Sequence, residues 1–155
     1  MIKINVIINN IIWKKYLKNP QSFIDKKIDL INKKNKLFKK KKLICSLLLS
    51  ENKEIKRLNK KFRKKNKSTD VLSFPFHNRS QLTNKIKNDK EIYLGDIIIN
   101  LSKIKNKNNK NKFQEELNKL WVHGLVHLFG YQHKKDKDFK KMQRVEKKYF
   151  DYIND

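Results

Sequence analysis

One eleven-residue segment, from His123 to His133, constrains the fold more than any other part of the chain. It holds three of the four histidines in the 155-residue sequence and two of its three glycines. Residues four apart on a helix share a face, so His123 and His127 are predicted to project side by side from one helix. Gly130 is predicted to end that helix in a left-handed conformation, after which the chain reverses and brings in His133. The spacing therefore predicts a three-histidine metal site at the end of a helix.

The ligand type indicates which metal such a site would hold. Three neutral imidazoles suit Zn²⁺, so we predict one zinc ion per chain held by His123, His127 and His133. Three protein ligands leave a fourth position open to water, as in catalytic rather than structural zinc sites. Water bound there can supply hydroxide at neutral pH.

Gly124 lies inside the predicted helix, between the first two histidines. A helix-interior glycine costs about 1 kcal/mol relative to alanine. We therefore expect either that something approaches the helix backbone at Gly124 or that the helix packs closely on a neighbour. The spacing His-x-x-x-His-x-x-Gly-x-x-His also resembles that of the metzincin peptidases, but their general base is a glutamate directly after the first histidine. Glycine at that position argues against a peptidase.

The apolar pattern along the chain predicts four strands and four helices. Because these elements mix without a strict βαβ order, we predict a single α+β domain over residues 1–155, with a small mixed β-sheet packed with several helices and the His-x-x-x-His pair on one of them. Ser50 is the predicted N-cap of the second helix. Residues 77–89 are predicted to form a loop, and residues 103–112 a solvated loop or frayed helix. The predicted strands span residues 2–8, 43–49, 71–75 and 93–101, and the predicted helices span residues 21–34, 51–62, 113–129 and 136–153.

The chain is strongly basic, with a formal net charge of +25 and a sequence pI of about 10.1. A basic surface gains free energy from counterion release on a nucleic-acid backbone, which favours an RNA partner. The composition supports a second explanation, because the chain has no alanine and is rich in Lys, Asn and Ile, whose codons are A/T-rich. The charge is therefore compatible with RNA binding without establishing it.

The only cysteine, Cys45, excludes an intramolecular disulfide and fits a reducing compartment. It lies in the apolar run of residues 43–49, which predicts core packing rather than a redox role. No apolar run approaches the roughly 20 residues that span a bilayer, and the N-terminus lacks the pattern of a secretion signal. We expect a soluble cytoplasmic protein with no membrane contact.

Three segments of the chain together resemble the YbeY family of single-strand-specific endoribonucleases. They are residues 58–63 (LNKKFR) with residues 68–75 (STDVLSFP), residues 94–97 (LGDI), and the histidine segment. The resemblance implies an α+β fold, one zinc held by the three histidines, and single-stranded RNA as substrate. It further implies a role in rRNA processing, including 16S 3′-end maturation and ribosome quality control, with rRNA and ribosomal subunits as partners and no DNA. It also implies that Arg63 acts in the same pocket, so Arg63 and His123 are the predicted catalytic residues.

The chain departs from the family pattern at two of these positions. Gln132 stands where the family usually has Asp, which removes a carboxylate beside the third histidine, and Ser68 stands where Pro is usual. Among the other polar residues, Asp70 is expected to cap the following turn and His77 to be a loop histidine. Asp96 is compatible with orienting a metal ligand or with a structural role.

Three functions compete at this point. The preferred one is a zinc-dependent endoribonuclease, in which Arg63 clamps the phosphate in a bidentate manner. The second is a ribosome-assembly or RNA-binding factor whose zinc is structural or vestigial, favoured by the basic surface and by Gln132. The third is a metal-dependent hydrolase of another phosphoester.

Overall fold

A four-stranded mixed sheet organises the computed structural model, which describes residues 1–154 apart from the side chain of Leu37. The strand order is β1-β2-β4-β3; β1, β2 and β4 run parallel, and β3 is antiparallel to β4. The predicted α+β class with a small mixed sheet is confirmed. The strands are β1 (Ile2–Ile8), β2 (Lys42–Ser50), β3 (Val71–Pro75) and β4 (Glu91–Asn100). The α-helices among the described residues are α1 (Pro20–Lys34), α2 (Asn52–Arg63), α3 (Arg79–Asn88), α4 (Lys110–Leu128) and α5 (Asp136–Asn154).

Helices cover both faces of the sheet, as the alternation along β4 shows. Successive strand residues point to opposite faces. Ile97 and Ile99 belong to the large core that also contains buried residues of α1, α4 and α5. Ile98 belongs instead to a small cluster with Ile55 of α2 and Leu72. Helices α1, α4 and α5 therefore pack on one face and α2 on the other.

Helix α4 lies very close to the sheet at Gly124. A Cβ atom at Gly124 would come within 2.6 Å of Cγ2 of Ile97. Of the two explanations for this glycine, the structure supports close packing, here on β4. Since α4 carries two of the three histidines, this contact helps to set their height above the sheet.

The strand β3 forms one edge of the sheet and is only five residues long. Pro75 ends it, and an edge is where a sheet tolerates proline. Ser73 and Val71 alternate with Leu72, so they face the side of the sheet that carries α4. The candidate site is built where this edge meets the end of α4.

Residues 77–89 were expected to form a loop, and this prediction is wrong. Asn78 and Gln81 form a capping box in which each side chain accepts a hydrogen bond of 2.9 Å from the other residue's backbone N–H. The helix α3 follows, and it buries Leu82. The segment is polar, and Leu82 is the one buried residue of α3, so no apolar spacing in the sequence indicated a helix.

The predicted N-cap at Ser50 is also wrong. Ser50 is the last residue of β2, and Glu51 occupies the N-cap position without a side-chain capping bond. The hydroxyl of Ser50 accepts a hydrogen bond of 3.3 Å from Asn9 instead. Pairing with β4 extends the strand by one residue past its apolar run.

The start of α4 differs from the prediction by three residues. Asn109 caps the helix by accepting a hydrogen bond of 3.0 Å from the backbone N–H of Lys112. Residues 104–109 form the connection before it, with Asn106 in a left-handed conformation. In α5, Met142, Tyr149 and Ile153 are buried, whereas Phe139 is 48% exposed.

Candidate metal centre and the cleft beside it

The three histidines of the motif converge at the C-terminal end of α4. The Nε2 atoms of His123 and His127 are 3.1 Å apart, and one ligand nitrogen from each of the three residues lies within 4.8 Å of the others. The third histidine arrives because α4 ends in a Schellman turn, in which Gly130 takes a φ of +87°. The N–H of Gly130 donates to the carbonyl of His127 at 2.9 Å. The helix thus ends where the sequence predicts, and the chain reverses to place His133.

Two oxygen acceptors set the orientation of the first two imidazoles. The Nδ1 atom of His127 is 2.9 Å from the carbonyl oxygen of Tyr131, which can only accept a hydrogen bond, so Nδ1 carries the proton. The Nδ1 atom of His123 likewise donates to the Glu146 carboxylate at 2.6 Å. In the neutral rings both Nε2 atoms therefore present lone pairs. This is the arrangement in which histidines bind metals, with the other ring nitrogen held by a carboxylate or carbonyl.

The contact between the two Nε2 atoms fits a bound cation. When both rings are neutral, with their protons on Nδ1, the 3.1 Å contact between the Nε2 atoms brings two lone pairs together. Two nitrogens bound tetrahedrally at roughly 2.0–2.1 Å from a zinc ion lie about 3.3 Å apart, close to this separation. The donor set of the three histidines can therefore hold a metal ion.

Electrostatics keep His127 neutral. Burial, and then the neighbouring imidazole of His123, lower the pKa of His127 to about 4 from its usual 6.5. The hydrogen bond to the Tyr131 carbonyl opposes this shift without cancelling it. At neutral pH the ring is thus an unprotonated ligand, and metal binding does not have to displace a proton from it.

Glu146 is a residue of this site that the sequence reasoning missed. It lies on α5, 23 residues after the histidine to which it bonds, and both side chains are about one-third exposed. In the sequence it is one of several acidic residues in a Lys-rich helix. Only the packing of α5 on α4 brings it to His123, so no local motif could have identified it.

Arg63 also lies beside the histidine cluster, although its helix, α2, packs on the opposite face of the sheet. It is the last residue of α2, and its Nη2 donates to the backbone carbonyl of Ser73 at 2.9 Å. Its guanidinium also lies 5.7 Å from the centre of the Phe74 ring. A cavity of about 200 Å³ is lined by Arg63, Asp70 and all three histidines, among others. The structure therefore brings Arg63 together with the three histidines at one cavity.

Two buried asparagines, also missed by the sequence reasoning, hold the loop between α2 and β3. Asn59 donates to the carbonyl of Lys67 at 2.8 Å, and Asn100 donates to the carbonyl of Thr69 at 3.0 Å. The backbone N–H of Asn100 donates to the carbonyl of Asp70 at 2.8 Å. In an asparagine-rich chain nothing local distinguishes these two residues. Their effect is to fix the loop that forms one wall of the cavity.

The remaining polar candidates take three different positions. Asp70 accepts from the backbone N–H of Val71 at 2.8 Å, as expected of a local cap, and its carboxylate also lines the cavity. Asp96 faces a different cavity, on the α2 side of the sheet, and accepts from the Tyr93 hydroxyl at 2.6 Å. It therefore does not contribute to the cavity of the three histidines. His77 lies in the connection between β3 and α3, as expected of a loop histidine, and it is half-buried in the lining of the wider cleft.

A wider cleft of about 600 Å³ continues from the histidine cluster. His127, His133 and Gln132 lie in its lining, so the neutral side chain at position 132 faces the cleft beside the third histidine. The end of β3 and the start of α3 form the opposite wall. The histidine cluster therefore opens onto a cleft of the volume usual for ligand-binding sites.

No helix in residues 1–154 combines the length and the apolar character needed to cross a membrane.

The fold and the histidine cluster define an α+β protein with a candidate hydrolytic metal centre. The chain belongs to the YbeY endoribonuclease family: the family model described as Endoribonuclease YbeY matches residues 7–154. It is 41% identical over 155 residues to a Pelagibacter ubique protein named Endoribonuclease YbeY, covering 99% of this chain and 97% of the relative. An Ehrlichia canis protein of the same name is 33% identical, with 99% and 93% covered. The solution structure of TM1509 from Thermotoga maritima matches with a TM-score of 0.59 and 27% identity, over 97% of this chain and 89% of that one.

Proposed function

We propose that this chain is a zinc-dependent endoribonuclease that cleaves single-stranded RNA during ribosomal RNA maturation. The observation that carries the proposal is the convergence of three histidines and Arg63 on one cavity beside a basic cleft. The relatives named Endoribonuclease YbeY support RNA as the substrate. The whole of residues 1–155 is proposed to form this one catalytic domain.

In this proposal the metal ligands are His123, His127 and His133. When bound, the zinc supplies a Lewis acid for the phosphoryl oxygens and lowers the pKa of its water. Neutral imidazoles leave the full positive charge of the ion available to an anionic phosphate. His123 is counted among the catalytic residues because, as a ligand, it touches the reacting centre.

Arg63 is proposed to bind the scissile phosphate. Its Nη2 is held by the Ser73 carbonyl, and the rest of its planar fork of donors stays available to phosphate oxygens. A charge already held in the same cavity as the histidines needs no reorganisation when the substrate binds. The exposed side chain of Gln132 supplies no carboxylate, so the proposal assigns no proton transfer to that position.

The proposed partners follow from charge and family together. A net charge of +25 favours a polyanion, and the family points to rRNA and ribosomal subunits, with 16S 3′-end maturation and ribosome quality control as the proposed processes. DNA is not a proposed substrate. The single reduced cysteine supports a cytoplasmic location.

The test combines metal content with RNA cleavage. Purified protein should carry about one zinc per chain, and it should cut single-stranded RNA in preference to a duplex of the same sequence. Cleavage should be lost in His127→Ala and on chelation, and should fall in Arg63→Ala. Undiminished cleavage by metal-free protein would refute the proposal. Salt-sensitive RNA binding without turnover would favour the assembly-factor alternative, and turnover of small phosphoesters alone would favour the third function.

A further inference from the structure

Phe76 is an aromatic residue that the proposed chemistry does not use, yet it lies in the cleft beside the metal centre. The residue is 68% exposed, so it contributes little to either hydrophobic core. Single exposed apolar residues are common on protein surfaces. What sets this one apart is how firmly it is held and what surrounds it.

The backbone at Phe76 is fixed at the end of β3. Its N–H donates to the carbonyl of Leu94 at 2.9 Å. Gly95, which pairs with Pro75 in the sheet, has a φ of +131°, and a Cβ atom there would come within 2.1 Å of the Phe74 carbonyl oxygen and 2.9 Å of the Phe76 nitrogen. Only glycine permits this close approach. The glycine of the LGDI segment thus serves to place Phe76 at the mouth of the cleft.

The aromatic neighbours of Phe76 support the ring without covering it. His77 lies 5.0 Å from it at an interplanar angle of 87°, and Tyr93 lies 5.8 Å from it at 73°. Both contacts are edge-to-face, so neither neighbour lies flat on the ring. Because Phe76 is largely exposed to solvent, a planar group can stack on its ring.

Positive charge surrounds this ring. Four cations line the same cleft, and among the described residues that line it there is no Asp or Glu: the cations are Arg63, Lys65, Arg79 and Lys134. The guanidinium of Arg79 lies 5.2 Å from the centre of the Tyr131 ring, on the side of the cleft that leads to His133. Such a mixture of cations and an open aromatic face is how proteins hold single-stranded nucleic acid, whose phosphates bind the cations and whose bases stack.

We propose that Phe76 is a stacking platform for one unpaired nucleobase of the RNA substrate. The base lies on the Phe76 ring while neighbouring phosphates contact Arg63 and Arg79 and lead the chain to the histidine cluster. Paired bases within a helix are already stacked on each other and cannot lie on the ring, whereas unpaired bases can splay out. The platform therefore selects single strands. This inference rests on the proposed function, since it names a substrate contact of the same site.

The experiment measures RNA binding by metal-stripped protein, so it does not depend on cleavage. Fluorescence anisotropy compares three labelled probes: a single-stranded octaribonucleotide, the same octamer with abasic positions, and a duplex. The wild type should prefer the base-bearing strand to the abasic strand, and Phe76→Ala should lose this preference, with a loss of affinity of about 5- to 150-fold. Its binding of the abasic strand and of the duplex should stay unchanged, because the phosphate contacts remain.

Phe62→Ala is the matched control. Phe62 is 58% exposed and lines the cavity on the α2 face of the sheet, not the cleft that contains Phe76. This variant should keep the base preference. A second variant, Phe76→Trp, should keep the affinity and show fluorescence quenching by the base-bearing strand but not by the abasic one. The native Trp13 and Trp121 are fully buried and should not respond.

Equal affinity of wild type and Phe76→Ala for the base-bearing strand would overturn the proposal, as would quenching of Phe76→Trp by the abasic strand. Failure of the proposed function gives a different result. In that case metal-loaded protein would not cleave RNA, although base-dependent binding at Phe76 would persist.

Discussion

Replacing Glu146 tests whether the histidine cluster is a metal site oriented from α5. The Nδ1–H of His123 donates to the Glu146 carboxylate at 2.6 Å, a short distance typical of charge-assisted bonds. In Glu146→Ala this ring loses the group that fixes its tautomer and orientation. Removing such an outer partner of a ligating histidine typically weakens metal binding about 10- to 100-fold. Because both side chains are about one-third exposed, water can partly replace the lost acceptor, and we expect the lower half of that range.

The assay is zinc affinity, measured by competition with a chromophoric chelator at fixed pH and ionic strength. Glu146→Gln keeps an acceptor oxygen at the end of a side chain of the same length, so its zinc affinity should lie between those of wild type and Glu146→Ala. The visible spectrum of the cobalt-substituted protein should change in Glu146→Ala, because the coordination geometry loosens.

Asp151→Ala is the matched control for charge and location. Asp151 lies on the same helix and pairs with Lys147 at 2.7 Å on the surface, so removing it changes the net charge equally without touching a histidine. Its zinc affinity should equal that of the wild type. Thermal melts of metal-free variants show whether each has folded. Zinc affinity in Glu146→Ala within twofold of wild type would refute the argument, as would an equal loss in Asp151→Ala.

Three further predictions concern stability and reactivity. Gly124→Ala should lower the free energy of unfolding, measured in urea. The added Cβ would clash with Ile97 at 2.6 Å, which costs about 1–3 kcal/mol, whereas the gain in helix propensity is only about 1 kcal/mol. A more stable variant would contradict the packing argument. Burial raises the pKa of Cys45 to about 12, so its thiol in the folded protein should not react with a thiol reagent at pH 8 and should react only on unfolding. Rapid stoichiometric labelling of the folded protein would show instead that the core around Cys45 opens. The metal-free protein should lose stability as the pH falls from 6.5 towards 4, since the pKa of His127 is lowered to about 4 and the unfolded chain takes up that proton first. Because the ring is only half-buried, the loss should be about 1–2 kcal/mol, and it should be absent in His127→Gln.

The strands and helices that have a periodic apolar pattern could be predicted from the sequence. The strand Ile2–Ile8 has the predicted bounds, and β2, β4, α4 and α5 lie within a few residues of them. The turn at Gly130 was readable because a left-handed residue after a helix favours glycine. The helix α3 was missed because its start depends on a capping box in a polar segment, a signal weaker than apolar spacing.

The sequence by itself determined which residues have the chemistry of the site. Three histidines at metal-binding spacing, a glycine where a peptidase would carry its glutamate, and an arginine in a family motif are all properties of local order along the chain. They identify ligands because imidazoles four apart must share a helix face. They do not indicate which residues from distant parts of the chain contact the site.

Only the tertiary structure decided what surrounds those residues. Glu146 orients His123 from 23 residues away, and Arg63 arrives from a helix on the other face of the sheet. Phe76 owes its place to a glycine on a neighbouring strand. The physical reason is common to all three: hydrogen bonds and van der Waals contacts act over a few ångströms in space, and linear order does not say which distant segments packing will bring within that range.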